Sequence, residues 1–221
     1  MNPLALRVAA TGLAGAAVLA IGLWISQGRA EDRSAMAASR QVHDVAPHAH
    51  PTALAAEATL SGDSVFHLRD AWTDQHGRTL RFTDLAGHPT VVVMFYGNCM
   101  TACPVLLRDA ERVEAALSDA ERARTRFLMV TFDPDHDTPE RMAAYAAAKG
   151  LDRDRWSFLT ADARAVQRLA AALGVRYRAD GQGGFAHTNL VTLLDPNGVV
   201  AMRREGLGLD AGPMAAAIAE M

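Results

Sequence analysis

Residues Thr90 to Tyr96 read TVVVMFY, and GNCMTACP follows at once. A continuous apolar, β-branched run of this kind suits a central strand buried on both faces. Both cysteines of the chain, Cys99 and Cys103, stand just past its end. In open α/β sheets that end of a strand is where ligands bind.

The surrounding pattern predicts alternating strands and helices. Ser64 to Leu68 (SVFHL) and Thr79 to Phe82 read as short strands around the turn Asp74-Gln75-His76-Gly77. Pro104 opens a helix running to about Leu117, with Val105, Leu106, Val113, Ala116 and Leu117 on its apolar side. Thr125 to Phe132 is a second buried strand, ended by Asp133-Pro134. Asp137-Thr138-Pro139-Glu140 starts a helix to about Lys149, with a polar cap position and Pro in the first turn. Trp156 to Thr160 is a short strand, and Asp162 to Leu173 a helix stopped by Gly174. Asn189 to Leu194 and Val199 to Arg203 pair across Asp195-Pro196-Asn197-Gly198, and Leu209 to Glu220 is a closing helix. The expected fold is α/β, with a mixed central sheet flanked by helices.

Composition bounds the partners. The 221 residues are 50% hydrophobic, and the formal net charge is -3 with charges scattered along the chain. No basic block exists to hold a phosphate backbone, so nucleic acid is excluded as the expected partner. Residues 59–221 have room for one domain with a real core.

The N-terminus sets the compartment. Val8 to Ile25 is uncharged and just long enough to span a bilayer, and Arg7 flanks it. Gly28 and Ala30 sit at small-residue spacing, so residues 1–30 read as either a signal anchor or a cleaved signal peptide. Both readings place the domain outside the cytoplasm, in a bacterial periplasm, and an uncleaved 8–25 segment would tether it to the inner membrane. Residues 31–58 are rich in Ala, Pro, Ser and His and read as a linker. Its His43, His48 and His50 fit a solvated tether or a loose metal-catching tract.

Two cysteines are too few for a disulfide framework, although one local disulfide between them is open. Pro104 disfavours helical geometry at the residue before it, which puts Cys103 at or close to the helix N-cap. The positive helix end stabilises thiolates there, and thiolate is both nucleophile and metal ligand. Disulfide-exchange enzymes of this architecture separate their cysteines by two residues. Here Met100, Thr101 and Ala102 intervene, a wider loop that lets both sulfurs face one external atom. Two soft thiolates favour Cu(I), and His187, after Gly183-Gly184-Phe185-Ala186 and before NLVTLL, is the candidate third ligand. His67, His76, His88 and His136 read as surface or packing residues and Met94 as core. Met100, between the two cysteines, reads either as a further contact to the metal or as a gap-filler, the commoner role of methionine.

The segments VVVMFYGNCMTACP, VTFDPDHDTPERMAAYA and AHTNLVTLLDPNGVV, in this order, resemble the SCO/SenC family of copper chaperones for cytochrome c oxidase assembly. The resemblance runs from about Val65 to the C-terminus. It implies a thioredoxin-like fold and copper, as Cu(I) or Cu(II), held by Cys99, Cys103 and His187. It also implies a redox-active pair that cycles between dithiol and a Cys99–Cys103 disulfide. His187-Thr188 stands where ordinary thioredoxins carry a cis-proline. Asp133 resembles an acidic residue near the family's metal, where outer-shell hydrogen bonding or docking and simple turn formation with Pro134 both fit. Met100-Thr101-Ala102 departs from the Pro-Asp-Val-like residues common in the family.

Three functions follow from the resemblance. The first is copper delivery to the binuclear copper centre of a respiratory oxidase subunit, with that subunit or another copper chaperone as partner. The second is a thiol-disulfide reductase acting on the same subunit's cysteines, with Cys99 and Cys103 as nucleophile and resolving thiol. The third is a copper or redox sensor. A peroxidase would need a Thr/Arg setting that Thr101 alone does not supply.

Overall fold

Strand β3 (Thr90–Phe95) has every residue buried, because side chains alternate between two separate hydrophobic layers. Val91, Val93 and Phe95 face one layer, while Val92 and Met94 face the other. In this computed structural model the described residues are 61–221 apart from Asp152. The expectations for segment 8–25, for the 31–58 linker and for His43, His48 and His50 lie outside the described residues. Among the described residues, no helix is long and apolar enough to cross a membrane.

The chain forms β1 (Trp72–Thr73), β2 (Thr79–Leu80), β3, α1 (Ala102–Ala116), α2 (Asp119–Arg124), β4 (Arg126–Thr131) and α3 (Pro139–Ala148). It continues with β5 (Trp156–Leu159), α4 (Ala163–Leu173), β6 (Tyr177–Ala179), β7 (Phe185–His187), β8 (Leu190–Leu194), β9 (Val200–Glu205) and α5 (Gly212–Ala219). The main sheet has the order β5-β4-β3-β8-β9. β3, β4 and β5 run parallel, and β8 and β9 complete the sheet antiparallel to their neighbours. The expected mixed sheet with flanking helices is therefore present.

Helices α1, α3 and α5 cover one face through Leu106, Leu107, Val113, Met142, Met214 and Ile218. Helix α4 covers the other through Val166, Leu169 and Leu173. Burial of each such side chain contributes about 1.5–3 kcal/mol, which fixes the sheet on which the cysteine loop rests. Local chemistry sets the helix ends. The Asp162 side chain accepts the N–H groups of Arg164 and Ala165, and Gly174 takes the left-handed conformation that ends α4.

Three expectations are corrected. Ser64–Leu68 is not a strand: Val65–His67 is a 3₁₀ turn, because the Ser64 hydroxyl accepts the Phe66 N–H and caps it. The strand paired across the Asp74–Gly77 turn is instead Trp72–Thr73. The second strand stops at Leu80, where Asp84 reaches back to the Arg81 N–H and starts another 3₁₀ turn at Phe82. Helix α1 begins at Ala102, so Cys103 lies inside its first turn and Thr101 is the N-cap. Helix α2, started by a Ser118–Glu121 capping box, and the small β6–β7 hairpin were not expected from the sequence.

Candidate metal centre

The cysteine loop leaves β3 through Tyr96 and Gly97, and the Cys99 N–H donates to the Tyr96 carbonyl. That turn folds Cys99 back over the start of α1, where the Cys103 N–H donates to Cys99 Sγ at 3.3 Å. Cys103 is fully buried and Cys99 is 6% exposed; both are free thiols. The geometry splits their acidity. Burial pushes Cys99 up, but the Cys103 thiol and the N–H groups of Cys103, Thr101 and Ala102 outweigh it, so its pKa lies below an ordinary thiol's. Burial pushes Cys103 well above the ordinary thiol value, and the charges of Cys99 and Asp137 push it further.

His187 arrives from the other end of the domain. β6 and β7 pair with Tyr177 opposite His187, and the Thr188 N–H donates to the Arg176 carbonyl. In the connecting loop, Asp180 accepts the N–H groups of Gln182 and Gly184. Phe132, directly after β4, packs its ring 5.1 Å from His187, 5.0 Å from Tyr177 and 5.2 Å from Phe185. The hairpin is thus pinned by aromatic packing onto the end of the sheet that carries the cysteines.

His187 Nδ1 lies 3.2 Å from the Thr188 carbonyl. A carbonyl only accepts, so this contact assigns the proton to Nδ1 and leaves the Nε2 lone pair free. Nε2 lies 3.9 Å from Cys103 Sγ. One donor atom each from Cys99, Cys103 and His187 fall within 4.8 Å of one another, so the three residues singled out in the sequence converge. Such a set of two thiolates and one imidazole suits a soft metal ion, and the adjacent thiols also suit disulfide chemistry.

The carboxylates divide differently from the sequence reading. Asp133 is buried, and its carboxylate pairs with His136 Nδ1 at 2.8 Å, holding the His136 pKa above its ordinary value. Asp137 is the acid joined to the cysteine loop. Its Oδ2 accepts the Gly97 N–H at 2.9 Å and the Thr131 hydroxyl at 2.5 Å. Burial pushes the Asp137 carboxyl above its ordinary range against the pull of those two donors. The sequence reading treated Asp137 only as part of a helix start; no local signal marks a partner 40 residues upstream.

The remaining candidates fall elsewhere. His67 contacts the Ser61 carbonyl and His88 the Arg124 carbonyl. His76 sits in the Asp74 turn, where its N–H donates to the Asp74 carboxylate. Met94 is core. Met100 is 86% exposed at the lip of the cysteine loop.

The SCO1/SenC family profile matches residues 63–221. The SCO1 protein homolog of Bacillus subtilis (strain 168) is 24% identical over 137 residues, covering 61% of this chain and 70% of that protein. Copper-bound ScoI of Bradyrhizobium japonicum superposes with a TM-score of 0.58 at 22% identity, covering 68% of this chain and 96% of that one. BsSco, studied for a disulfide switch and described as a member of the Sco family of cytochrome c oxidase assembly proteins, gives 0.59 at 22% identity. It is covered over 88% of its length by 67% of this chain. At these identities the structural likenesses establish the fold, which is thioredoxin-like, while the profile spans all but the first two of the described residues. The chain belongs to the SCO1/SenC family.

Proposed function

We propose that this protein binds copper as cargo on Cys99, Cys103 and His187 and delivers it, outside the cytoplasm, to the binuclear copper centre of a respiratory oxidase subunit. The observation that carries the reading is the convergence of the three donor atoms within 4.8 Å. Metal bonds of about 2.3 Å to sulfur and about 2.0 Å to nitrogen set donors about 3.8 Å apart in a trigonal plane. The 3.9 Å between Cys103 Sγ and His187 Nε2 matches that spacing without movement of the hairpin. Thiolate softness favours Cu(I), and the imidazole suits either oxidation state. The copper-bound relative and the oxidase-assembly family of BsSco support the cargo and its destination. The uncharged 8–25 segment supports the compartment and an anchor in the inner membrane. Asp133, placed beside the cysteine-bearing end of the sheet through its contact with Thr131, is proposed to act from outside the ligand set, as is Asp137.

A second reading is favoured by the split in thiol acidity. Cys99, the more acidic thiol, would attack a disulfide of the client subunit and form a mixed disulfide. Cys103 would then displace the client's second thiolate, leaving Cys99 and Cys103 oxidised and the client reduced.

The test titrates the fully reduced protein with Cu(I) against a competing chelator, beside His187→Ala and beside the oxidised protein. Delivery of copper requires tight uptake by reduced wild type, a loss exceeding about 100-fold in His187→Ala, since even supporting contacts are worth about 10–100-fold, and failure of the disulfide form to bind. Equal uptake by wild type and His187→Ala would leave the reductase reading in place.

A further inference from the structure

We propose that Met100 is the capture ligand of the copper site: its thioether takes Cu(I) from an incoming donor and passes it inward to Cys99 and Cys103. The inference rests on the copper reading above and adds the route by which the ion arrives.

The three ligands proposed to hold copper are poorly placed to take it from solvent. Cys103 is fully buried, Cys99 is 6% exposed, and His187 is half-buried with its ring packed against Phe132 and Tyr96. Between the two cysteines, Met100 is 86% exposed. A methionine normally occupies a core, where its flexible chain fills gaps. This one buries almost nothing, so packing does not account for it. Its neighbours in the loop, Thr101 and Ala102, carry no soft donor. Among the described residues the other exposed methionine is Met221, 37% exposed, which follows α5. Among the described residues, the only exposed soft donor beside the cysteines is therefore the residue bonded directly to Cys99.

The loop that presents it is held. The Arg141 guanidinium donates to Asn98 Oδ1 at 2.9 Å, and Asp137 holds the Gly97 N–H. These bonds hold the residues before Cys99, while the long Met100 side chain, on the residue bonded to Cys99, stands in solvent.

Cu(I) exchanges ligands by adding a new donor before losing an old one, and a neutral thioether binds it softly enough to release it. The step balances without redox change. A donor complex, Cu(I) on a soft or aromatic-nitrogen chelator, gains a bond to Met100 Sδ. Cys99 Sγ then bonds copper as the first chelator bond breaks. Cys103 Sγ and His187 Nε2 complete the set as all the remaining chelator bonds and the thioether bond break. Each thiol that binds releases its proton to solvent, the chelator leaves with the electron pairs it brought, and copper stays Cu(I) throughout.

The experiment mixes reduced full-length protein with the Cu(I) complex of bicinchoninate in stopped flow and follows loss of the chelate colour, beside an equilibrium titration. Met100→Leu keeps size and apolarity at a side chain that packs on almost nothing, so folding is unaffected. Its transfer rate is expected to fall by about tenfold, the loss of one weak bond made on the way to the product, with equilibrium affinity unchanged. Met100→His restores an exposed donor and is expected to recover the rate. Equal rates in Met100→Leu and wild type would overturn the capture role while leaving the copper site standing. A fall in affinity matching the fall in rate would overturn it too, making Met100 a resident ligand. Failure of wild type to take any copper would sink the underlying copper reading instead.

Discussion

His187 Nε2 and Cys103 Sγ lie 3.9 Å apart although 84 residues separate them. No local element joins them. Cys103 is carried by the first turn of α1 and His187 by the edge of a three-residue strand. The contact exists because Phe132, at the end of β4, packs simultaneously against Tyr96 on the cysteine side and against Tyr177, Phe185 and His187 on the hairpin side. The candidate metal site is thus as stable as that aromatic joint.

Phe132→Leu tests the joint. Leucine keeps the site apolar but loses ring contacts worth about 0.5–1.5 kcal/mol per aromatic pair beyond area burial. The hairpin should loosen before the domain does. Copper affinity is expected to fall by about tenfold, the lower end of the range for lost supporting contacts, while the reduced thiols still close to a disulfide. Cu(I) competition and a thiol count after mild oxidation check both halves. Unchanged affinity would show that the hairpin holds His187 without Phe132.

The two thiols should react in a fixed order. Although burial pushes Cys99 up, the Cys103 thiol and the N–H groups at the start of α1 bring its pKa below an ordinary thiol's, while burial raises that of Cys103. For Cys99 the thiolate is favoured by the fold, so its stabilising contribution is present above the unfolded-state value and lost as pH falls through the folded one. For Cys103 the neutral thiol is favoured, and stability declines once pH rises past the unfolded-state thiol value of about 8.5. Limited iodoacetamide treatment of reduced, metal-free protein at neutral pH is expected to label Cys99 first. In Cys99→Ser the remaining thiol should label slowly and only at alkaline pH. Peptide mapping by mass spectrometry reads the order, and preferential labelling of Cys103 would contradict it.

Asp137 supplies a further pH dependence, with burial as its cause, as for Cys103. Burial raises its carboxyl pKa, against the Thr131 hydroxyl and the Gly97 N–H that hold the charged form. As pH rises through the unfolded-state value of about 3.9, the unfolded chain gives up its proton first, and the folded state loses stability relative to it until the folded value is passed. Asp137→Asn removes that titration while its amide oxygen can still accept from both donors. The variant should gain stability relative to wild type on going from pH 3.5 to 7, read by urea unfolding at each pH. Losing the charge also removes one cause of the raised Cys103 pKa. In a Cys99→Ser background, alkylation of Cys103 should then reach its midpoint at lower pH. An unmoved midpoint would show that the charge of Asp137 does not reach the sulfur.

What the sequence made legible follows from where each residue's partners lie. β3 and β4 were readable because both faces are buried and the apolar run is continuous. α4 was readable because Asp162 and Gly174 announce its ends locally. Val65–His67 misled because its place before the Asp74–Gly77 turn signal suggested a strand, whereas a single capping hydroxyl from Ser64 decided the geometry. The β6–β7 hairpin was silent because strands of three residues, half-buried and exposed by turns, show no usable period. For the site, residue type and spacing pointed to Cys99, Cys103 and His187. The tautomer of His187 and the tie between Asp137 and Gly97 depend on long-range or fine geometry that no spacing encodes.

Gly97→Ala isolates that tie. Gly97 has an ordinary backbone conformation, so strain in φ is not the issue. A Cβ there would stand 2.5 Å from Asp137 Oδ1, closer than atoms can approach. Asp137 cannot swing aside cheaply, because its other oxygen holds the Gly97 N–H and the Thr131 hydroxyl and the side chain is buried. The clash must therefore displace the cysteine loop or break those bonds, at a cost of about 1–3 kcal/mol. Asp137→Ala alone is also destabilising, since it strands two donors. In the double variant the clash disappears, so the two losses should fall short of additivity by about 1 kcal/mol or more. Urea unfolding of the four proteins gives the coupling, and copper titration of Gly97→Ala shows whether the loop has moved. Losses that add to within about 0.5 kcal/mol would mean the contact is relieved elsewhere. A real coupling with weakened copper binding would establish that the buried carboxylate sets the position of Cys99 through the backbone two residues before it.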